Sequence, residues 1–259
     1  MKRALLGLVA IGALIAGPAM AADMGMPLKA PPPAVMPAPL WTGWYIGANI
    51  GGSFGTVTQT ASFPATIPPT SPFGSASSDL DGVIGGGQIG YNWQTGNWVL
   101  GIEADIQGSS ERSSSSQTGT GSISIIGVGL FPFSDTLAMT EKLDWLGTVR
   151  GRLGVTAGPN WLLYATGGLA YGGLDTDTTL TVGAVSAVNN FSTTRAGWTV
   201  GAGIEGWLGH NWTAKVEYLY VDLGSFTNTF TGLSVITPVV LTTHVTDNIV
   251  RVGLNYHFN

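Results

Sequence analysis

Trp98-Val99-Leu100-Gly101-Ile102-Glu103-Ala104-Asp105-Ile106-Gln107 places Trp98, Leu100, Ile102 and Ile106 on alternate positions and Glu103, Asp105 and Gln107 on the positions between them. Successive side chains of a strand point to opposite faces, so this period of two reads as a β-strand with one apolar and one polar face. A soluble sheet has the same period. The content of the faces separates the readings: indole and aliphatic groups suit lipid, whereas carboxylates and amides suit a polar lumen.

Seven further stretches repeat the pattern. The first, about Trp44 to Gly55, sets Trp44, Ile46, Ala48, Ile50 and Phe54 against Tyr45, Asn49 and Ser53. The next, about Asp81 to Trp93, turns Val83, Ile89, Tyr91 and Trp93 outward and Gln88 and Asn92 inward. After the quoted strand come about Glu141 to Ala157, Trp161 to Leu174, Arg195 to Leu208, Trp212 to Leu223 and His244 to Phe258. In the fourth strand Leu143, Trp145, Val149, Leu153 and Val155 are expected on lipid, with Thr148, Arg150 and Arg152 inside.

Tight turns at Gln94–Asn97, Gly158–Asn160 and Gly209–Asn211 alternate with long connections at about 56–80, 110–140, 175–194 and 224–243. That alternation fits a bacterial barrel, with short turns in the periplasm and long loops outside. Trp93, Trp98, Trp161 and Trp212 flank the tight turns and form the expected periplasmic aromatic girdle. The fold class is therefore all-β: an eight-stranded antiparallel transmembrane β-barrel.

Lys2 and Arg3 precede an apolar run from Ala4 to Ala16, and Ala19-Met20-Ala21 supplies the small-x-small pattern of a signal-peptide cleavage site. Residues 1–21 are expected to be a signal peptide, 22–40 a proline-rich periplasmic spacer and 41–259 the barrel. The chain has no cysteine, so thiolate chemistry and disulfides are excluded. A formal charge of -5 gives a nucleic-acid role no electrostatic support. Outer-membrane lipid, lipopolysaccharide and the barrel-insertion machinery are the expected partners, with a host surface or peptidoglycan as further ones.

Long blocks in order, among them Trp41-Thr42-Gly43-Trp44-Tyr45-Ile46-Gly47, Gly85-Gly86-Gly87-Gln88-Ile89-Gly90-Tyr91-Asn92-Trp93, Leu143-Asp144-Trp145-Leu146-Gly147-Thr148-Val149-Arg150-Gly151-Arg152 and Ala214-Lys215-Val216-Glu217-Tyr218-Leu219-Tyr220, carry a family likeness. The chain resembles the opacity-type outer-membrane proteins of alphaproteobacteria, and within them the immunogenic, porin-labelled proteins of rhizobia and brucellae. The resemblance implies an eight-stranded barrel abundant at the cell surface that supports envelope integrity and host contact. It also implies a C-terminal insertion signal, here Tyr256 and Phe258, although the family usually ends on an aromatic residue and this chain continues to Asn259.

Gly85-Gly86-Gly87-Gln88-Ile89-Gly90 meets the spacing of a dinucleotide-binding glycine fingerprint, but the alternation runs on through Tyr91-Asn92-Trp93 and no helix follows. These glycines are expected to permit strand curvature. Glu103, Asp105, Arg150, Arg152, Arg195, Glu205, Lys215, Glu217 and Arg251 all fall on inward positions, and near-balanced charge in a narrow lumen is expected to pair into a plug that locks strand register. Lining a water-filled path is the other use of such groups. No catalytic, metal or cofactor residue is assigned, since His210, His244 and His257 have no nucleophile beside them in sequence. The expected function is a structural barrel presenting surface loops. The rival readings are a small-solute diffusion channel and a haem-binding or adhesion receptor.

Overall fold

A computed structural model describes residues 40–62, 75–125, 129–182, 184–230 and 239–258. The expected signal peptide and all of the proline-rich spacer except Leu40 lie outside these residues, as does Asn259. Eight strands follow in order: β1 (Gly43–Ser62), β2 (Ser75–Thr95), β3 (Trp98–Ile125), β4 (Gly129–Ala157), β5 (Trp161–Val182), β6 (Val185–Gly209), β7 (Trp212–Phe230) and β8 (Val239–Phe258). Each pairs antiparallel with the next, and β8 returns to β1 to close the barrel. Closure matters because lipid offers no hydrogen-bond partner to a free sheet edge.

The three tight turns need left-handed backbone, and their residues supply it. Gly96 and Gly158 have φ of 60° and 71°, while Gly209, His210 and Asn211 carry 105°, 50° and 67° in succession. One face of the fingerprint-like glycine run is packed against its neighbour strand. A Cβ on Gly86 would lie 2.0 Å from the Ile106 carbonyl oxygen, whereas one on Gly87 would meet nothing nearer than 3.6 Å.

The outward face carries Trp44, Ile46, Ile50, Ile89, Leu100, Ile102, Leu169, Val200, Val216 and Val252, all about half or more exposed in the absence of lipid. Trp93, Trp98, Trp161 and Trp212 ring one end of this band and are 46% to 57% exposed. Trp145, Tyr171 and Trp198 mark its other border, with Trp145 packed edge-on against Tyr171 at 5.9 Å. Register shifts at Gly108/Glu111, Leu143/Trp145 and Asp222/Ser225 lie at that outer border, and a fourth, at Trp207/Gly209, lies beside the last tight turn.

Two sequence expectations need correction. Leu143 does not face lipid: the register shift beside Trp145 turns it inward, and it is 1% exposed. Most of the expected long loops are strand. β3 and β4 remain paired from the outer border to Ile125 and Gly129, and β5 and β6 to Val182 and Val185. Serine- and threonine-rich alternation such as Ser113–Thr118 lacks the apolar face by which a membrane strand is recognised, yet cross-strand partners hold it extended.

Beyond the outer border the ring divides. β2 and β3 pair only as far as Asp81↔Arg112, and β6 and β7 only as far as Trp198↔Asp222. Above these points β7, β8, β1 and β2 form one four-stranded wall, and β3, β4, β5 and β6 form the other.

Candidate functional site

An eight-stranded barrel is just wide enough for side chains to fill, and three stacked layers fill this one. At the end ringed by the tight turns, Trp41, Val99, Leu162 and Tyr164 are buried, with Trp207 packed against them. Trp41 and Trp207 approach to 5.2 Å between ring centroids, Trp207 and His257 to 4.8 Å, and Tyr45 stacks on His257 at 5.3 Å. The Trp41 backbone N–H donates to Gln94 Oε1 at 2.8 Å, which ties the entering chain to the first turn.

The middle layer joins strands on every side of the lumen. Arg150 pairs with Glu103, with Asp105 at 2.8 Å and with Glu217 at 3.1 Å. Lys215 Nζ lies 2.9 Å from both Glu103 oxygens, Arg251 lies 2.5 Å from Glu217 and 3.1 Å from Asp105, and Arg152 pairs with Glu205. Tyr45 donates to Glu103 at 2.7 Å and Tyr164 to Glu217 at 3.0 Å; Thr213 and Asn255 donate to Glu205 at 2.6 and 2.7 Å. All eight charged groups are buried. An ion without a partner in such a place costs several kcal/mol, so matching four cations to four carboxylates is what makes the layer tolerable.

Arg195 stands apart from this network, contrary to the sequence expectation. It sits above the outer border on β6, with its guanidinium 4.3 Å over the Phe226 ring. The alternation correctly turns it inward, but height along the strand places it beyond reach of Glu103, Asp105 or Glu217.

The third layer is apolar: Leu80, Ile84, Leu143, Leu146, Leu174, Leu219, Val221, Phe226, Val245 and Ile249 form one buried cluster with Val57, Ala170 and Leu223. Alternation does not predict apolar residues on lumen-facing positions, because the sequence pattern equates the inward face with polarity. Above and beside this cluster lies a group of buried acids that the sequence reading also missed. Ser53 donates to Asp247 at 2.5 Å, Ser109 to Glu111 at 3.0 Å and Gln59 to Glu141 at 2.7 Å. Burial, with the Asp247 and Asp81 carboxylates beside it, pushes Glu111 up to about 8, and burial pushes Glu141 up to about 7. Glu111 lies at the outer border, beside the register shift, and Glu141 lies beyond it.

The three histidines are dispersed. His210 occupies a tight turn, His257 is packed among Tyr45, Trp41 and Trp207, and His244 Nδ1 lies 3.0 Å from Ser225 Oγ above the membrane band. Among the described residues no group of three or more His, Cys, Asp or Glu could hold a metal ion. At the C-terminal end Tyr256 packs edge-on against both Trp212 and Phe258 at 5.2 Å, so the expected insertion signal continues the aromatic girdle.

The sequence is 42% identical over 257 residues to the 31 kDa outer-membrane immunogenic protein of Brucella melitensis, covering 97% of this chain and 98% of that one. It is 34% identical over 154 residues to the 22 kDa outer membrane protein of Rhizobium leguminosarum, covering 59% of each. Among solved structures, Neisserial surface protein A matches over 84% of this chain and 98% of its own, at 13% identity and a TM-score of 0.38. The outer membrane protein OprG of Pseudomonas aeruginosa matches over 84% and 97%, at 12% identity and a TM-score of 0.43. The family model described as outer membrane protein beta-barrel domain matches residues 8–258. The chain belongs to that family and is a protein of the outer membrane.

Proposed function

We propose that this chain is a non-conducting scaffold of the outer membrane that holds a two-walled β structure above the membrane surface. The carrying observation is the occupied lumen: an aromatic layer, an ion-paired layer and an aliphatic layer lie in series along the barrel axis. Water and ions would have to pass all three, and the packed side chains of Leu146, Leu174, Leu219 and Ile249 in the third layer offer neither a charge nor a hydrogen bond to a permeating ion. The charge network is assigned the role of fixing strand register across the lumen. The aromatic rings at the two borders are assigned to lipid and lipopolysaccharide headgroups, and Tyr256 and Phe258 to the insertion machinery. No catalysis is assigned, since each histidine lies in a separate packing environment.

Single-channel recording on the refolded mature protein in a planar bilayer tests the proposal. Silence from protein verified as folded is expected. Stable, reproducible steps whose ion selectivity changes in Arg150→Ala would overturn it and make the chain a diffusion channel.

A further inference from the structure

The two seams between the extracellular walls are closed unequally. Across the β2/β3 seam Ser113 donates to Ser78 at 2.7 Å, and Ser115 of β3 reaches past it to donate to Gln59 of β1 at 3.2 Å. Among the described residues no side-chain hydrogen bond joins 185–197 of β6 to 223–230 of β7, and the Arg195–Phe226 stack spans the base of that seam. Among the described residues, 185–196 of β6 are therefore paired to β5 on one side and have no ladder partner on the other, while Gly197 stands against Asp222 of β7.

A free strand edge is a row of unused N–H and C=O groups that another extended backbone can satisfy. Edges that must stay free are commonly defended by proline, charge or a bulge. The β7 edge has such a defence, a register shift at Asp222/Ser225 with Gly224 at φ 73°. Residues 185–197, Val-Ser-Ala-Val-Asn-Asn-Phe-Ser-Thr-Thr-Arg-Ala-Gly, contain no proline and a single charge.

What lies beside this edge defines its partner. Asn189 and Phe191 line a cavity of about 220 Å³ in the seam with Met139, Thr227, Leu241 and Thr243. None of its lining residues is charged, so it suits an uncharged side chain. Arg195 lies four positions from Phe191 on the same face of β6. Its Nε is buried with no hydrogen-bond partner, and among the described residues no carboxylate lies within 4.0 Å of it. A second copy of β6 could not complete this arrangement, since residues 185–197 contain no acid to set against Arg195.

We propose that the free edge of β6 takes up an extended peptide by strand addition. The peptide carries an uncharged side chain opposite Phe191 and, four positions along, a carboxylate opposite Arg195. Main-chain hydrogen bonds supply the attachment, while the cavity and the guanidinium supply register and sequence preference.

The test is selection of a phage-displayed library of random decapeptides on the refolded mature protein in nanodiscs, with empty nanodiscs as the control. Enriched peptides are expected to share the uncharged-to-acidic spacing. Synthetic copies methylated at alternate backbone nitrogens should lose binding, because methylation removes the donors that strand pairing needs. Arg195→Glu, verified as folded by its heat-dependent gel mobility, should weaken the unmethylated peptides roughly tenfold or more, the scale of one charge-assisted hydrogen bond. Enrichment no better than on empty nanodiscs, or peptides that bind equally well when methylated, would overturn the proposal. The methylation comparison uses the wild-type chain, so it decides even where Arg195→Glu fails to fold.

Discussion

Lys215 of β7 and Glu103 of β3 have three strands between them in either direction round the ring, yet Lys215 Nζ lies 2.9 Å from both oxygens of the carboxylate. The pair spans the diameter of the barrel. Arg150, Arg251 and Tyr45 converge on the same carboxylate or its neighbours from β4, β8 and β1, so the ion-paired layer ties the whole circumference together.

Removing one member should expose the cost of the rest. Lys215→Ala leaves Glu103 with one fewer cation in a site that water does not reach, and a loss of about 3–5 kcal/mol is expected. Urea unfolding in detergent micelles, followed by the gel shift between folded and unfolded barrel, reads this directly. A midpoint unchanged from wild type would show that the layer does not contribute to stability.

The apolar layer should respond as a protein core does. Leu219 is fully buried in the aliphatic cluster, and Leu219→Ala should cost about 2–5 kcal/mol through lost burial and the cavity left behind. Leu208→Ala, on the outward face and 66% exposed in the absence of lipid, should leave that lumen packing intact and cost less in the same assay.

Stability of the extracellular walls should fall as pH rises. Glu111 and Glu141 keep their protons to about 8 and about 7 when folded, against an ordinary value of 4.5. Between pH 4.5 and 8 the folded chain therefore binds more protons than the unfolded one, and by linkage stability declines through that window. Hydrogen exchange of β3 and β4 beyond the outer border should be faster at pH 8.5 than at pH 5 after correction for intrinsic rates. Glu111→Gln should flatten the upper part of the dependence, and an equal slope in wild type and variant would contradict the assignment.

Adjacent glycines should behave differently. Gly86→Ala sets a methyl group against the Ile106 carbonyl and should lower the yield of refolded barrel, whereas Gly87→Ala has room and should refold like wild type. Equal yields from the two variants would show that the strands move apart at little cost.

The aromatic girdle and the inward or outward sense of most membrane residues were legible in the sequence, because pleat and lipid impose a period of two wherever one face meets hydrocarbon. Trp98–Gln107 alone carries that logic. Glu103, Asp105, Arg150 and Arg251 could be placed in the lumen on parity, though not paired with one another. Partners such as Lys215 and Glu103 are 112 residues apart in the chain.

Parity fixes which way a side chain points and says nothing of its height. Alternation turns Arg195 inward, and yet it lies over Phe226, above the network of Glu103, Asp105 and Glu217. A register shift also reverses parity, as at Leu143. Outside the lipid the apolar face disappears, so Ser113–Thr118 reads as loop although β4 pairs with it throughout. The sequence by itself determined an eight-stranded barrel with its charges inside, because hydrophobic contrast across a strand is a local property. The tertiary structure decided that the lumen is filled in three layers and that the ring divides above the membrane. Both depend on which strands stand opposite one another and at what height, and a one-dimensional pattern does not carry that information.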